Sequence, residues 1–436
     1  MDEIELNSDE LRSTTLSKLD GDPKTGWLCN KNGLLLKTYR WLANNAVGII
    51  LLIHGLKSHT RLTFMRINFK MPDKNEDFVV DTNNYYIYKD SWIENFNQNG
   101  YSVYALDLQG HGESQAWKNV RGDFSSFDDL VGDVIQYMNQ VQDEISNDNQ
   151  TNDESYDIVP TKKKKLPIYI IGYSMGGSIA LRILQLLGKE KEDRIKAGNS
   201  INYKNSNIIL DNSTNVNEND NDVHDMNNAN DYGSDNSCVS PSATTNAIVS
   251  ASDKHERSYN YLDKLNIKGC VSLSGMMRLK TPLDSGKKSF KYFYLPLVNI
   301  LSYLLPHARI SSESSYKKSE YDINVCKYDK FRNNSGIKFK CISELIKATI
   351  ILDRNIKYMP KDIPLLFVHS KNDSICSYKG AVSFCNKANV SKKELYPADG
   401  MNHTIMGEPG SEDIFKKIID WIYDLRRNDE DEIEDG

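Results

Sequence analysis

The stretch "IIGYSMGGSIALRIL", residues 170–184, is apolar at both ends and nearly bare in the middle. There Gly172, Gly176 and Gly177 surround a single serine, Ser174. The first half reads as a strand, and from Met175 onward Ile179, Ile183 and Leu186 recur at helical spacing. A strand that turns at once into a helix strains the residue at the corner, and side chains beside it would strike both elements. Glycine at 172 and 176 removes the Cβ atoms that would clash and leaves the serine hydroxyl exposed above the sheet. The helix brings its N-terminal N–H groups and positive dipole end to the same place. This predicts a nucleophile elbow, against a packing turn with an inert serine.

The flanking sequence supplies the sheet. "VGIILLIHG" (47–55), "YSVYALDLQG" (101–110), "PIYIIGYS" (167–174), "IKGCVSLSG" (267–275) and "IPLLFVHS" (363–370) are β-rich and mostly apolar throughout. Strands buried on both faces of a parallel sheet have this composition. Helix-length patterns lie between them. Near the C-terminus Ile414, Ile418, Trp421 and Leu425 form a stripe, with Ser411 as its expected N-cap and Arg426 and Arg427 at the negative end of the dipole. Strand and helix in alternation predict an α/β fold with a doubly wound, mostly parallel sheet.

Composition narrows the function classes. A net charge of −6, from 54 basic and 60 acidic residues, gives no electrostatic case for nucleic acid. Seven scattered cysteines without a Cys-x-x-Cys pair read as reduced thiols of a cytoplasmic protein, not as a disulfide framework or a zinc site. Nothing calls for a cofactor or a metal. The N-terminus is acidic and polar, unlike a secretory signal, and no apolar run is long enough to cross a bilayer. Lys162–Lys165 read as a solvated loop before a strand rather than a membrane contact. Residues 198–260, rich in Asn, Asp and Ser, bury too little apolar surface to offset their ordering entropy and are expected to be a disordered insertion.

A serine hydroxyl needs a base, and the base needs an orienting acid; at such an elbow they follow in the order serine, acid, histidine. Asp373 lies in the loop after the strand 363–370. Asp362 precedes that strand, at the wrong end of the sheet, and Asp353 sits in a helix-like run. His403 occupies a glycine-flanked loop before the last helix. His54, His59 and His111 precede the serine, His224 and His255 fall in the insertion, and His369 reads as strand core. His54 and His111, beside tight glycine turns, read as structural. Gly55 lets the backbone turn sharply after a strand, so the Leu56 amide is well placed as one oxyanion donor, with the Met175 amide as the other.

Together "IHGLKSH", "LDLQGHGES", "GYSMGGSIA", "VHSKNDSICSYKGA" and "MNHTIMG" resemble the monoacylglycerol lipase and lysophospholipase branch of the α/β-hydrolases. "NYYIYKDSWIENFNQNGYSVYALDLQGHGES" is closer still to the malaria-parasite lysophospholipase-like esterases. The resemblance covers roughly residues 25–190 and 262–427. It implies a triad of Ser174, Asp373 and His403, oxyanion donors at Leu56 and Met175, no cofactor, and a helical cap inserted before the acid-bearing strand. The chain departs from the family in a long segment after the oxyanion loop (61–86) and in the insertion.

The expected organisation is a flexible N-terminus (1–24), the first part of the hydrolase core (25–190), the insertion (191–261) and a core strand (262–275). A cap (276–350), the rest of the core (351–427) and an acidic tail (428–436) follow. In the cap, "SFKYFYLPLVNILSYLLPHARI" (289–310) is apolar nearly all round. The sequence favours a helix buried under the cap over a lid that lines an acyl pocket and touches lipid surfaces. The implied reaction is hydrolysis of a small-molecule monoacyl lipid ester. A general carboxylesterase or thioesterase on the same triad is the alternative, and a non-catalytic binding protein sits poorly with an intact set of catalytic groups.

Overall fold

The computed structural model describes residues 19–70, 80–148, 165–210, 264–280, 282–310 and 320–434. Eight strands form one sheet: β1 (Lys24–Cys29), β2 (Leu35–Trp41), β3 (Gly48–Ile53), β4 (Tyr101–Leu106), β5 (Ile168–Tyr173), β6 (Ile267–Leu273), β7 (Leu365–His369) and β8 (Lys393–Pro397). Their order is β1-β2-β4-β3-β5-β6-β7-β8. β2 runs antiparallel to both neighbours, and every other pairing except β1 with β2 is parallel. The five strands read from the sequence are the central ones. β1, β2 and β8 escaped that reading because they lie toward the edges and mix buried with exposed positions.

Successive side chains of a strand point to opposite faces, and both faces here are covered. Ile49, Leu51 and Ile53 of β3 join a core with Leu130, Val131 and Val134 of α3 (Phe127–Asp148) and Ile179 and Ile183 of α4 (Met175–Leu210). Ile50 and Leu52 point the other way, into a core with Trp92 and Phe96 of α2 (Trp92–Gln98) and Phe415, Ile418 and Trp421 of α9 (Ser411–Glu434). The sheet is doubly wound.

Two helices outrun the sequence reading. The chain divides into one unit of Met1–Lys189 with Leu262–Gly436 and another of Glu190–Tyr261. α4 runs to Leu210, past residue 198 where disorder was expected. Helix formers in "KEKEDRIKA" (189–197) and a Glu192–Lys196 pair four residues apart sustain it. The rest of the insertion, residues 211–260, lies outside the described residues, as do 1–18 and Lys162–Lys164. α9 likewise continues to Glu434, because no glycine or proline interrupts it, so Arg426 and Arg427 lie inside the helix and much of the acidic tail is helical. Ser411 is the first residue of α9 rather than its cap. Gly410, at φ +91°, precedes it and its carbonyl accepts from the amides of Asp413 and Ile414.

Between β6 and β7 the chain forms α5 (Leu295–Leu304), α6 (Glu320–Tyr328) and α7 (Phe339–Arg354). The expectation of a buried apolar helix at 289–310 is not met. Phe290 and Val298 pack on Ile342 and Ile346 of α7, but Tyr292, Phe293, Leu297, Ile300, Tyr303 and Leu304 face outward. One stripe of the helix suffices to hold it on α7, and the apolar residues beyond that stripe find no cover among the described residues.

The glycines make this fold testable. A Cβ on Gly176 would sit 2.2 Å from the Ile53 carbonyl oxygen, whereas one on Gly132, in α3, would meet nothing within 4 Å. In urea titrations Gly176→Ala should destabilise by about 3 kcal/mol. Gly132→Ala should instead stabilise by roughly 0.5–1 kcal/mol through helix propensity alone.

Candidate active site

Ser174 stands at the corner between β5 and α4 with φ +55°, the left-handed conformation that a side-chain-bearing residue adopts at a cost. The surroundings over-determine it. Its N–H donates to the Leu273 carbonyl (2.8 Å), and its own carbonyl accepts from Gly177 and Met276 (each 3.1 Å). A Cβ on Gly172 would lie 2.2 Å from the Gly176 oxygen. One on Gly176 would strike the carbonyls of Ile53 and His54. The elbow therefore presses directly against the end of β3, which excludes a side chain at Gly176, while its own fold-back excludes one at Gly172.

The structure brings three residues expected from the sequence into one relay. His403 Nε2 lies 2.9 Å from Ser174 Oγ, and His403 Nδ1 lies 2.8 Å from Asp373 Oδ2. Asp373 is wholly buried, while Ser174 and His403 keep 8% and 7% exposure, enough to meet a substrate from one side. The other Asp373 oxygen accepts from the amides of Ile375 and Cys376, each at 2.8 Å. Burial alone would raise this carboxyl, but His369 and His403 outweigh it and hold the pKa well below the usual carboxylate range. Asp362 is exposed before β7 and Asp353 lies in α7, paired with Lys387. Neither belongs to the relay.

Side-chain to backbone hydrogen bonds set the height of the His403 loop. Ser274 Oγ donates to the His403 carbonyl (2.9 Å), and Ser370 Oγ donates to that of Met401. Met175 follows the serine directly, and Leu56 follows Gly55, which packs on it. Met175 is the first residue of α4, and Gly55 packs so closely that a Cβ there would lie 3.0 Å from Ser174 Cβ. His54 Nε2 accepts the Leu108 amide (2.9 Å), so its proton sits on Nδ1 and donates to the Gly55 carbonyl (2.8 Å). Burial lowers the His54 pKa to about 3 and that of His111 to about 4. Both rings are neutral splints of the backbone.

Two neighbours were missed. His369, read as core, places Nε2 3.3 Å from Asp373 Oδ2, close enough for charge attraction, although neither ring nitrogen has a well-aligned hydrogen bond. Its spacing four residues before the acid was the available signal. Cys376 is buried beside Ser174, and burial followed by the Asp373 charge pushes its thiol well above the ordinary range. Asp373, Cys376 and His403 offer metal-ligating atoms within 4.8 Å of one another, but the carboxylate and imidazole are already committed to each other and the thiol holds its proton. This set fits a proton relay better than a metal.

The family model described as serine aminopeptidase S33 matches residues 83–198 and 256–410, more than half of the chain and all three relay residues. The chain belongs to that family. It is a serine hydrolase with the α/β-hydrolase fold. Among solved structures it is similar to a soluble variant of monoglyceride lipase from Saccharomyces cerevisiae in complex with a substrate analog. Identity there is 15%, covering 92% of this chain and 95% of that one, with a TM-score of 0.54. A thermostable carboxyl esterase from Bacillus coagulans in complex with glycerol is also similar, at 15% identity, 92% and 98% coverage and a TM-score of 0.52. The monoacylglycerol lipase of Paleococcus ferrophilus gives 15% identity, 89% and 99% coverage and a TM-score of 0.50. No curated protein matches by sequence.

The depressed pKa of Asp373 has a pH consequence. Its contribution to stability is complete above the unfolded-state value near ~4 and is lost as pH falls through the lower folded value. Asp373→Asn removes that contribution, so the variant's stability should fall less than the parent's between about pH 4 and pH 2, read by urea midpoints at each pH. Equal acid slopes in the two proteins would contradict the assignment.

Proposed function

We propose that the chain hydrolyses the acyl ester of monoacyl lipids, monoacylglycerol or lysophospholipid, through an acyl-enzyme on Ser174. The observation that carries this reading is the unbroken Ser174–His403–Asp373 relay at the root of a partly apolar segment. That segment, 276–350, is read as the cap. It leaves the sheet beside the serine, since the Met276 amide donates to the Ser174 carbonyl. Its stem pairs with the loop bearing the acid, through Leu279 with Cys376 and through the Lys280 amide to the Ile375 carbonyl. The similarity to monoglyceride lipases supports the substrate class.

Asp373 accepts a hydrogen bond from Nδ1–H, which keeps the proton there and leaves Nε2 free to take the proton of Ser174 Oγ. The alkoxide attacks the ester carbonyl, and the Leu56 and Met175 amides hold the oxyanion. His403 returns the proton to the departing alcohol, then activates water, which releases the fatty acid and restores Ser174. The alternative is a general carboxylesterase or thioesterase on the same triad. The carboxyl esterase similarity favours it.

The outward side of α5 and of the turn before it (Phe290–Tyr294) supports transient contact with a lipid surface. Tyr303 is 85% exposed and Tyr292 74%, and Lys287, Lys288 and Lys291 lie exposed beside them. Among the described residues no helix is long and apolar enough to cross a membrane. Free thiols at Cys29, Cys270, Cys326, Cys341, Cys376 and Cys385 suit a reducing compartment, so the proposed setting is the cytoplasm, at membrane faces.

Ser174→Ala should abolish labelling by a fluorophosphonate and lower turnover by about 10⁴-fold or more. With monoacyl esters below their micelle-forming concentrations, kcat/KM should climb with acyl length, each buried methylene contributing about 0.8 kcal/mol until the pocket is full. A flat series, or thioesters preferred at every length, would favour the alternative. Tyr303→Asp should reduce turnover of vesicle-borne substrate while sparing a short soluble ester; equal losses on both would reject the surface contact.

A further inference from the structure

Outside the relay, the densest buried polar cluster joins the turn after β3 to the segment between β6 and β7. His59, the last residue of "HGLKSH", is fully buried and lies 3.1 and 3.3 Å from the two carboxylate oxygens of Asp329. The two residues are 270 positions apart. His59 Nδ1 accepts the Leu62 amide at the start of the short helix α1 (Thr60–Phe64), so the proton sits on Nε2 and points at Asp329. The Tyr86 hydroxyl donates to Asp329 Oδ2 (3.0 Å), and the amides of Phe331 and Arg332 donate to Oδ1 (2.8 and 2.9 Å). Burial would raise this carboxyl, yet the hydrogen bond and charge of His59, helped by the Phe331 amide, keep it below the ordinary range.

Both ends of the turn are thereby anchored, each to a different part of the fold. At its start His54 is tied to the loop after β4 through the Leu108 amide. At its end His59 is tied to Asp329. Between them Lys57 adopts φ +60°, and the Ser58 amide reaches the Gly55 carbonyl only at 3.4 Å. The Ser58 hydroxyl is tied to Thr63 Oγ1 (2.7 Å), so the turn takes its shape from bonds to the residues around it as well as from its own backbone. Arg61 reinforces the far anchor: it pairs with Glu113 and packs over the rings of Tyr86 (4.7 Å) and Phe331 (5.0 Å), the second from the same segment as Asp329. The Thr60 amide donates to Asp107 Oδ1 (2.9 Å), fixing the same stretch to the sheet.

We propose that Asp329 is a positioning residue for ester cleavage: through His59 it holds the Gly55–His59 turn, and so the Leu56 amide, in place beside Ser174. The inference rests on the reading of Leu56 as an oxyanion donor. Its consequence is that the oxyanion site is complete only while the segment carrying Asp329 is seated, which couples cap and catalysis through one buried hydrogen bond. The pair contributes geometry rather than stability, since a buried hydrogen bond gains little net free energy while the loss of one partner leaves the other unsatisfied.

The test compares Asp329→Asn with Lys338→Met. Lys338 makes another buried link from this segment to the core, 2.8 Å from Asp123. Both variants should lower Tm. With a soluble p-nitrophenyl butyrate, Asp329→Asn should lower kcat between about tenfold and 100-fold with KM changed less than about twofold. Its fluorophosphonate labelling rate should fall in proportion, and Lys338→Met should retain both. If Asp329→Asn does not fold, His59→Gln, which keeps a donor toward Asp329, should retain more kcat than His59→Leu. Parental kcat and labelling in Asp329→Asn, or equal kcat in the two His59 variants, would overturn the proposal and leave a purely structural link. Persistent turnover in Ser174→Ala would instead overturn the active-site reading on which it rests.

Discussion

At the elbow, the backbone of Gly176 lies so close to the carbonyls of Ile53 and His54 that no Cβ fits between them, and Gly172 lies just as close to the Gly176 carbonyl. That contact forces Ser174 into its left-handed conformation, ends β5, and starts α4 with its N–H groups toward the hydroxyl. It also brings Gly55, and therefore the whole turn after β3, against the nucleophile. Strain of this kind costs on the order of 1–3 kcal/mol and persists only where the surroundings supply compensation. Here the compensation is the parallel packing of β3, β5 and β6 beneath the corner, with the Leu273 carbonyl receiving the Ser174 amide.

Around that corner, histidines do different work according to their partners. His54 and His111 face backbone carbonyls (Gly55 and Gln109), and burial keeps them neutral. His59, His369 and His403 face carboxylates, Asp329 for the first and Asp373 for the other two. The same side chain thus stands as a neutral splint against backbone carbonyls in one place and is held against a carboxylate in another. The surrounding acids, not the residue type, make the difference.

How much of this was legible in the sequence depends on how local the cause is. The elbow was readable because its steric requirement falls on adjacent residues, and the expectations for Asp373 and His403 followed from chain order, the first from its place after a strand and the second from its glycine-flanked loop before the last helix. β2, "LLKTYRW", was not readable: its buried and exposed positions give no clean alternation, and its place in the sheet is set by β1 and β4. Asp329 sits in the polar run "CKYDKFRNN", where nothing marks it, and its role comes from a partner 270 residues away. The helix at 295–304 misled for another reason. An all-round apolar pattern normally means burial, but here only one stripe of it packs on α7 and the remainder is exposed.

The open sheet leaves two outer strands, β1 and β8, whose unpaired backbone groups could template the addition of a strand from another molecule. Each carries a deterrent. β1 begins with Lys24, and its exposed Trp27 lies under the Lys37 ammonium, which keeps charge over the one large apolar side chain on that edge. β8 begins with Lys393 and ends with Pro397, which has no N–H to offer. Cross-β growth is thus discouraged at both margins, so a large parallel core can refold with its edges bare and still resist fibrillar association.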